Sequence, residues 1–180
     1  MAVIQTTIKG LRPILLHNPA GMGAPSTGKT VIPTPAEEAK TGCYYTNDGS
    51  SLCLPSTNLY RAIIKAAGAF KVKKSNAAPI ICGAIDIDPL DIPFNTLEYS
   101  IDTRRAVVQR QGILRSRPKI KEGWELSFAI LIEEKDLAPG MFPMLRSILE
   151  EAGRRIGIGD FRLEKKGPFG KFEVTKWEVV

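Results

Sequence analysis

Residues 124–133, WELSFAILIE, restrict the fold more than any other part of this sequence. Their apolar side chains occupy every second position, as in a strand that rests one face on a hydrophobic core. These side chains are Trp124, Leu126, Phe128, Ile130 and Ile132. Such a strand needs neighbouring strands and a second apolar layer to cover it. The rest of the sequence must therefore supply both.

Two segments have apolar residues at helical spacing and can form the covering layer. Residues 54–70 predict a helix with Leu59 and Ile63 on its apolar face. Residues 141–152 predict a second helix, and Gly153 follows it where a left-handed C-terminal cap belongs.

Four further segments predict strands. Residues 2–9 are rich in β-branched side chains, and residues 78–85, APIICGAI, form a short apolar run that predicts a buried strand. Residues 113–119 predict the antiparallel partner of the strand at 124–133. Residues 171–180 predict the last strand, with a bulge where the alternation slips after Val174.

The predicted order is strand, helix, strand, strand, helix, strand. This order is typical of the ferredoxin-like (RRM-like) βαββαβ plan, an α+β fold in which one antiparallel sheet carries two helices. The 180 residues fit a single domain, 1–180, with a long loop insertion at about 18–51 and a smaller one at about 86–111.

Cellular location and cofactors are predicted from what the sequence lacks. No apolar run approaches the roughly 20 residues that span a bilayer, and the N-terminus does not have the pattern of a signal peptide. Three cysteines and the single His17 do not give the spacing of a zinc site. We therefore expect a cytoplasmic protein with no membrane segment, metal or other cofactor.

Residues 23–30, GAPSTGKT, match the phosphate-binding pattern G-x-x-x-x-G-K-[ST] at every required position. In NTPases this pattern forms the turn between a buried strand and a helix whose N-terminus faces the phosphates. Here Pro33 and Pro35 prevent a helix from beginning directly after the motif. We interpret the match as a chance one in a Gly/Ser/Thr-rich loop and predict no NTPase activity.

The formal net charge of +6 favours anionic partners, with nucleic acid first among them. A C-terminal loop at 153–171 interleaves glycines with basic residues. The basic residues are Arg154, Arg155, Arg162, Lys165, Lys166 and Lys171. Glycines permit positive φ and close backbone approach, cations neutralise phosphate, and Phe161 and Phe169 can stack on bases. An ordinary helix-to-strand connection with solvated lysines is the alternative.

A second basic cluster lies at residues 102–121. Its cations are Arg104, Arg105, Arg110, Arg115, Arg117, Lys119 and Lys121. Along a strand, Arg115 and Arg117 point to the same face and can follow a phosphate backbone together. The alternative is a solvated face of the sheet.

Asp86, Asp88 and Asp91 form a carboxylate cluster with metal-like spacing. Hard cations such as magnesium prefer oxygen ligands, and metal-dependent nucleases use such groups. The prolines around the cluster instead favour a solvated turn. His17 is a candidate general base, although the sequence does not identify a carboxylate to orient it.

Two stretches resemble a known superfamily. Residues 53–68, CLPSTNLYRAIIKAAG, resemble the segment of RAMP-superfamily proteins in which a proline and small residues precede a helix that carries an arginine or lysine. Residues 157–174, GIGDFRLEKKGPFGKFEV, are similar to the glycine-rich loop before the last strand of those proteins. The pattern most resembles the backbone subunits of CRISPR effector complexes, although 180 residues is short for such a subunit. This resemblance implies a ferredoxin-like protein with a thumb-like insertion that polymerises along guide RNA in antiviral defence.

The resemblance and the basic clusters together predict a non-catalytic protein that grips single-stranded or guide RNA through phosphate contacts. We expect it to assemble along the RNA as a homo-oligomer or ribonucleoprotein subunit. The resemblance implies RNA contacts at Arg61, Lys65, Gly157, Gly159, Arg162, Lys165, Lys166, Gly167, Phe169, Gly170 and Lys171. The second basic cluster adds Arg104, Arg105, Arg115 and Arg117. Two alternatives remain: a metal-dependent ribonuclease using the aspartates or His17, and a protein-binding module that imitates or inhibits an effector complex.

Overall fold

The computed structural model describes residues 1–21, 33–108, 110–133 and 135–180. Its strands are β1 (Ala2–Gly10), β2 (Ile14–Leu15), β3 (Cys53–Pro55), β4 (Lys71–Val72), β5 (Ser75–Asn76), β6 (Ile85–Asp88), β7 (Asp91–Pro93), β8 (Ser100–Val108), β9 (Gln111–Ile120), β10 (Glu125–Ile132) and β11 (Phe172–Val179). Its α-helices are α1 (Pro35–Thr41), α2 (Ser56–Ala67), α3 (Ala78–Ala84) and α4 (Phe142–Glu151). The phosphate-loop match at 23–30 lies outside the described residues. In the described ranges, none of the helices is long and apolar enough to cross a membrane.

The main sheet has four strands in the order β11-β1-β10-β6, and all neighbours are antiparallel. The predicted alternation of β10 is confirmed, because Leu126 and Ile130 are fully buried while Glu125 and Ser127 are exposed. The predicted α+β class with antiparallel pairing is confirmed as well.

Helices α2 and α4 cover one face of the main sheet. Leu59 and Ile63 of α2 and Leu145 and Leu149 of α4 are fully buried in the same core as the inward residues of the strands. Full burial of one such side chain contributes about 1.5–3 kcal/mol. This layer fixes the position of α2 relative to the loop that precedes β11.

The opposite face of the main sheet is not covered by a helix of the described residues. Gln5 and Lys9 are exposed on β1, at positions that alternate with the buried ones. Lys176 of β11 pairs with Thr7, and it lies on this same open face.

The predicted bulge in the last strand is confirmed. The pairing of β11 with β1 shifts between Thr7 and Ile8, which lie opposite Lys176 and Val174. Thr175 is therefore the extra residue. It shifts the alternation of side chains by one position, so that the second half of the strand again has its alternate side chains on the core side of the sheet.

The predicted pairing of residues 113–119 with the strand at 124–133 is wrong. Strand β9 pairs with β8 in a hairpin whose register runs from Val108 opposite Gln111 to Ser100 opposite Lys119. Strand β2 pairs with the other end of β9 and completes a separate three-stranded sheet. The physical reason is that both edges of β10 are already occupied, by β1 and by β6.

The predicted strand at 78–85 is also wrong, because most of it forms helix α3. The Asn76 side chain accepts a hydrogen bond from the Ala78 N–H at 2.8 Å, and Pro79 suits the first helical turn, where no N–H is needed. Ile81 and Ala84, three residues apart, are buried on one side of the helix. One edge strand of the main sheet is β6, which begins directly after α3.

Gly153 is not the C-terminal cap predicted for the second helix. Helix α4 continues as a π-helical turn, Ala152–Ile156, and the residue with positive φ is Gly157, at 74°. The Gly157 N–H donates to the Ala152 carbonyl at 2.8 Å. Gly153 serves close packing instead, since a Cβ there would lie 2.3 Å from the Phe172 carbonyl oxygen.

Candidate nucleic-acid interface

Helix α2 and the β8–β9 hairpin each contact the glycine-rich loop (residues 157–171). Lys65 of α2 lies 3.5 Å from Glu164 of the loop. Arg104 of β8 lies over the ring of Phe169, 4.9 Å from its centroid. The fold therefore brings together three segments that the sequence predicted separately as RNA-binding.

Backbone hydrogen bonds fix the glycine-rich loop to the segment after β1. The Asp160 N–H donates to the Leu15 carbonyl at 2.8 Å, and the Gly170 N–H donates to the Pro13 carbonyl at 2.9 Å. The Ile158 N–H donates to the Gly170 carbonyl at 3.0 Å and closes the base of the loop. The loop is an ordered part of the fold that can hold side chains in fixed positions.

Two glycines of this loop make close contacts inside the protein. Gly159 and Gly170 have φ values of 79° and 73°. A Cβ at Gly159 would lie 2.6 Å from Ile14 Cγ1 and from the Leu15 carbonyl oxygen, and one at Gly170 would lie 1.8 Å from the Ile158 carbonyl oxygen. The sequence predicted that such glycines let a ligand approach the backbone. In the structure, the close neighbour at both positions is the protein itself.

Glu164 lies between two of the predicted phosphate ligands. Its Oε2 accepts hydrogen bonds from Arg162 Nη2 at 2.9 Å and Nε at 3.2 Å, and its Oε1 lies 3.5 Å from Lys65 Nζ. Partial burial raises the pKa of Glu164, but the hydrogen bonds and charges of Arg162 and Lys65 outweigh burial, and the pKa lies below its ordinary value. The carboxylate is therefore charged at neutral pH and holds both cations in place.

Arg104 joins the hairpin to the aromatic part of the loop. Its Nε donates to Asp102 Oδ1 at 2.7 Å and its Nη2 donates to Oδ2 at 3.1 Å, and this hydrogen bonding raises the pKa of Arg104. Phe169, beneath the guanidinium, is 4% exposed and packs 6.1 Å from Phe161 between ring centroids. The predicted stacking of Phe169 on a base does not fit this burial, and half-buried Phe161 is the aromatic nearer the surface.

Arg115 and Arg117 are engaged by carboxylates of the protein. Arg115 Nη1 donates to Glu38 of α1 at 3.1 Å. Arg117 Nε lies 2.8 Å from Asp160 Oδ2, as an ion pair without the alignment of a hydrogen bond, and its side chain is 14% exposed. These arginines hold α1 and the glycine-rich loop to β9.

The remaining predicted contacts differ in exposure. Arg61, Lys165 and Lys166 are exposed, and in the described part of the chain no carboxylate lies within 4.0 Å of their cationic atoms. Arg105 is exposed beside Gly112 at the hairpin. Lys171 is half-buried. The predicted glycines are all buried: Gly157, Gly159, Gly167 and Gly170.

The aspartates of the acidic cluster lie in two strands and not in the turn that was predicted for them. Asp86 and Asp88 belong to the edge strand β6 with exposed side chains, and Asp91 begins β7. The prediction of a turn at Asp86 and Asp88 is therefore wrong, because Ile85 and Ile87 anchor the segment as a strand on the core. Across the residues that the structure describes, no group of three His, Cys, Asp or Glu is placed to hold a metal ion.

A cavity of about 170 Å³ opens between the glycine-rich loop, the end of β2 and the start of α2. Its polar lining residues are His17, Tyr44, Asn58, Asp160 and Arg162. The Tyr44 hydroxyl donates to the His17 carbonyl at 3.0 Å. Burial and the nearby charge of Asp160 raise the pKa of Tyr44, which keeps the hydroxyl protonated at neutral pH. Sequence reasoning missed Tyr44 and Asn58, because they come from segments far apart in the chain and match no spacing motif.

No family model matches this sequence, and no curated protein matches it. Among solved structures, several chains have a similar fold. One of them belongs to the cryo-EM structure of the Type III-B Cmr-beta bound to cognate target RNA, with a TM-score of 0.65, 13% identity and 99% of the present chain covered. The match covers 60% of the length of that chain. The predicted resemblance to a CRISPR effector subunit is thereby confirmed at the level of the fold.

Proposed function

We propose that this protein is a non-catalytic RNA-binding protein that grips single-stranded or guide RNA through phosphate contacts. The observation that carries the proposal is the convergence of exposed cations from α2, the β8–β9 hairpin and the glycine-rich loop. These cations are Arg61, Lys65, Arg104, Lys165 and Lys166. Cations on fixed elements at one surface suit the repeated negative charge of a nucleic-acid backbone.

The strand order supports a ferredoxin-like arrangement. The main-sheet strands follow the chain as β1, β6, β10 and β11, with α2 between the first two and α4 between the last two. Their spatial order is β11-β1-β10-β6. With the smaller strands set aside, this is a βαββαβ unit, and the β8–β9 hairpin is an insertion between its second and third strands.

The contacts of Glu164 support phosphate recognition by pre-positioned side chains. Arg162 and Lys65 are held by this carboxylate, so less side-chain entropy is lost when they meet a ligand. Lys165 and Lys166 follow directly in the loop and add exposed charge. A domain of this size covers few nucleotides, so several copies assembled along one RNA in the cytoplasm follow from the same proposal, with a role in antiviral defence.

The nucleic acid that co-purifies with the protein tests this function. The protein is purified without nuclease treatment, and the bound nucleic acid is extracted, sized and sequenced. We expect RNA, released as the salt concentration is raised. Protein that carries no nucleic acid and has no affinity for single-stranded RNA at low salt contradicts the proposal. Binding to an effector complex without affinity for free RNA would favour the protein-binding alternative.

A further inference from the structure

The cavity beside the glycine-rich loop holds recognition groups that phosphate contacts do not use. Its volume of about 170 Å³ is below the roughly 300–1,000 Å³ of sites for drug-sized ligands. A space of this size suits one ring system, without the sugar and phosphate attached to it.

Asn58 supplies the clearest unused group in this cavity. It is the third residue of α2 and is half-buried. Within the described residues, its side-chain amide makes no hydrogen bond. A primary amide offers two donors and an acceptor, which is the combination that reads the edge of a nucleobase.

The charged groups of the cavity disfavour the binding of a phosphate inside it. Asp160 presents a carboxylate, and Arg117 lies against its Oδ2 from outside the lining. Arg162 also lines the cavity, but its Nη1 donates to the Gly159 carbonyl at 3.3 Å, so that nitrogen is already engaged by the backbone. An uncharged heterocycle avoids the repulsion from the carboxylate.

Apolar and aromatic groups complete the lining. Leu16 and Leu54 line the cavity together with Tyr44. Bases that leave a single strand are commonly held against apolar or aromatic side chains while polar groups bind their edges. The mixed lining therefore matches a nucleobase better than it matches an anion.

We infer that this cavity receives one unstacked nucleobase of the bound RNA, with the Asn58 amide hydrogen-bonded to its edge. The inference rests on the proposed function and adds a base-dependent contact to a binding mode otherwise directed at phosphate. It also gives a role to a solvent-accessible amide that makes no hydrogen bond within the described residues and adjoins the basic surface.

Free nucleosides, which carry no phosphate, test the cavity independently of RNA affinity. Adenosine, guanosine, cytidine and uridine are titrated separately into nitrogen-15-labelled protein, with inorganic phosphate as a further titrant. We expect at least one nucleoside to shift the Asn58 side-chain and Gly159 amide signals, and Asn58→Ala to weaken its binding about tenfold, as for one lost hydrogen bond. Asn58→Asp keeps the shape, removes both donors and is expected to weaken it similarly.

The control is Asn47→Ala, at an exposed turn with no side-chain hydrogen bond in the described structure. Alanine has the higher helix propensity, so Asn58→Ala is expected to fold, and far-UV circular dichroism checks this. A second arm measures RNA oligonucleotides in which single bases are removed, with one position expected to lose affinity in wild type but not in Asn58→Ala.

The outcomes separate the two claims. RNA affinity that is unaffected by every base removal, with no nucleoside shift at the cavity, overturns the nucleobase site and leaves the proposed function intact. A nucleoside shift that depends on Asn58, without RNA affinity, overturns the proposed function but supports a base-binding cavity. Shifts by phosphate and by no nucleoside, or by no titrant at all, overturn the inference.

Discussion

Lys65 of α2 and Glu164 of the glycine-rich loop lie 3.5 Å apart, although positions 65 and 164 are far apart in the sequence. This contact joins the two segments that carry the resemblance to RAMP-superfamily proteins. Glu164 also accepts two hydrogen bonds from Arg162. One carboxylate therefore positions two cations and, in the proposed function, competes with RNA phosphate for them.

Substitution of Glu164 by glutamine is expected to strengthen RNA binding. Glutamine keeps an amide oxygen that can accept a hydrogen bond from Arg162 and so retains its positioning, while loss of the negative charge removes the competitor for Lys65 and Arg162. Surface pairs of this kind are worth up to about 1 kcal/mol, so the expected gain is about two- to fivefold. Fluorescence anisotropy with a labelled single-stranded RNA measures it.

The matched control is Glu150→Gln, which removes the carboxylate of an exposed ion pair with Arg146 on α4. It makes the same change in net charge away from the glycine-rich loop. Equal effects of the two substitutions, or weaker binding by Glu164→Gln, would show that Glu164 does not compete with phosphate.

The same carboxylate predicts a pH dependence of stability. Because its pKa is lowered from 4.5 in the folded protein, its ion pairs stabilise the fold above that ordinary value, and the contribution is lost as the pH falls through the lowered pKa. We expect wild type to have a higher Tm than Glu164→Gln near neutral pH, with the difference disappearing in acid. Differential scanning calorimetry across a pH series measures it. A difference that stays constant into acid contradicts the assignment.

Substitution of Gly159 is expected to lower the free energy of unfolding more than substitution of a glycine that has no close neighbours. Alanine at Gly159 adds a left-handed backbone strain and a clash with Ile14 and the Leu15 carbonyl, and we expect a loss of roughly 2–4 kcal/mol in the free energy of unfolding. Gly49, with φ 69° and no atom within 4 Å of an added Cβ, is the control. Alanine there should cost about 1 kcal/mol. Urea unfolding of both variants measures the costs, and equal losses contradict the packing role.

The parts of the fold that the sequence predicted are those set by local periodicity. The alternation at Leu126 and Ile130, the apolar faces of α2 and α4, and the bulge after Val174 each follow from side chains close in the chain. Burial on one face leaves a pattern of period 2 or 3.6, and such patterns survive without knowledge of the partner element.

The incorrect predictions concern partners and short apolar runs. The run that contains Ile81 is too short for periodicity to separate a helix from a strand, and the Asn76 contact that starts α3 is visible only in the structure. The pairing of β9 depended on which strands already flanked β10. The carboxylate partners of Arg115 and Arg117 come from α1 and from the glycine-rich loop, so their neutralisation had no signal in the sequence.

The ribonuclease alternative is tested by RNA cleavage. Asp86 and Asp88 lie exposed on β6, and no metal-binding group of three occurs among the described residues. We expect labelled single-stranded RNA to remain intact with magnesium or manganese, at the same level as with EDTA. Metal-dependent cutting that disappears in Asp86→Ala or Asp88→Ala would overturn the non-catalytic account.

In the proposed function, cations of the glycine-rich loop contact RNA phosphate, and the salt dependence of binding reports on these contacts. The test compares Lys165→Gln/Lys166→Gln with Lys9→Gln/Lys176→Gln, which removes equal charge from the open face of the main sheet. Each phosphate contact on a single strand contributes a slope of about −0.7 in a plot of log affinity against log salt.

Anisotropy of labelled single-stranded RNA is measured for wild type and both double variants across a salt series, with circular dichroism as the check of folding. We expect the loop variant to bind more weakly, with a slope flatter by about 1.4 for two lost contacts, while the sheet variant retains the wild-type slope. Equal slopes for the two variants, or wild-type protein without RNA affinity at low salt, would contradict the proposed phosphate contacts.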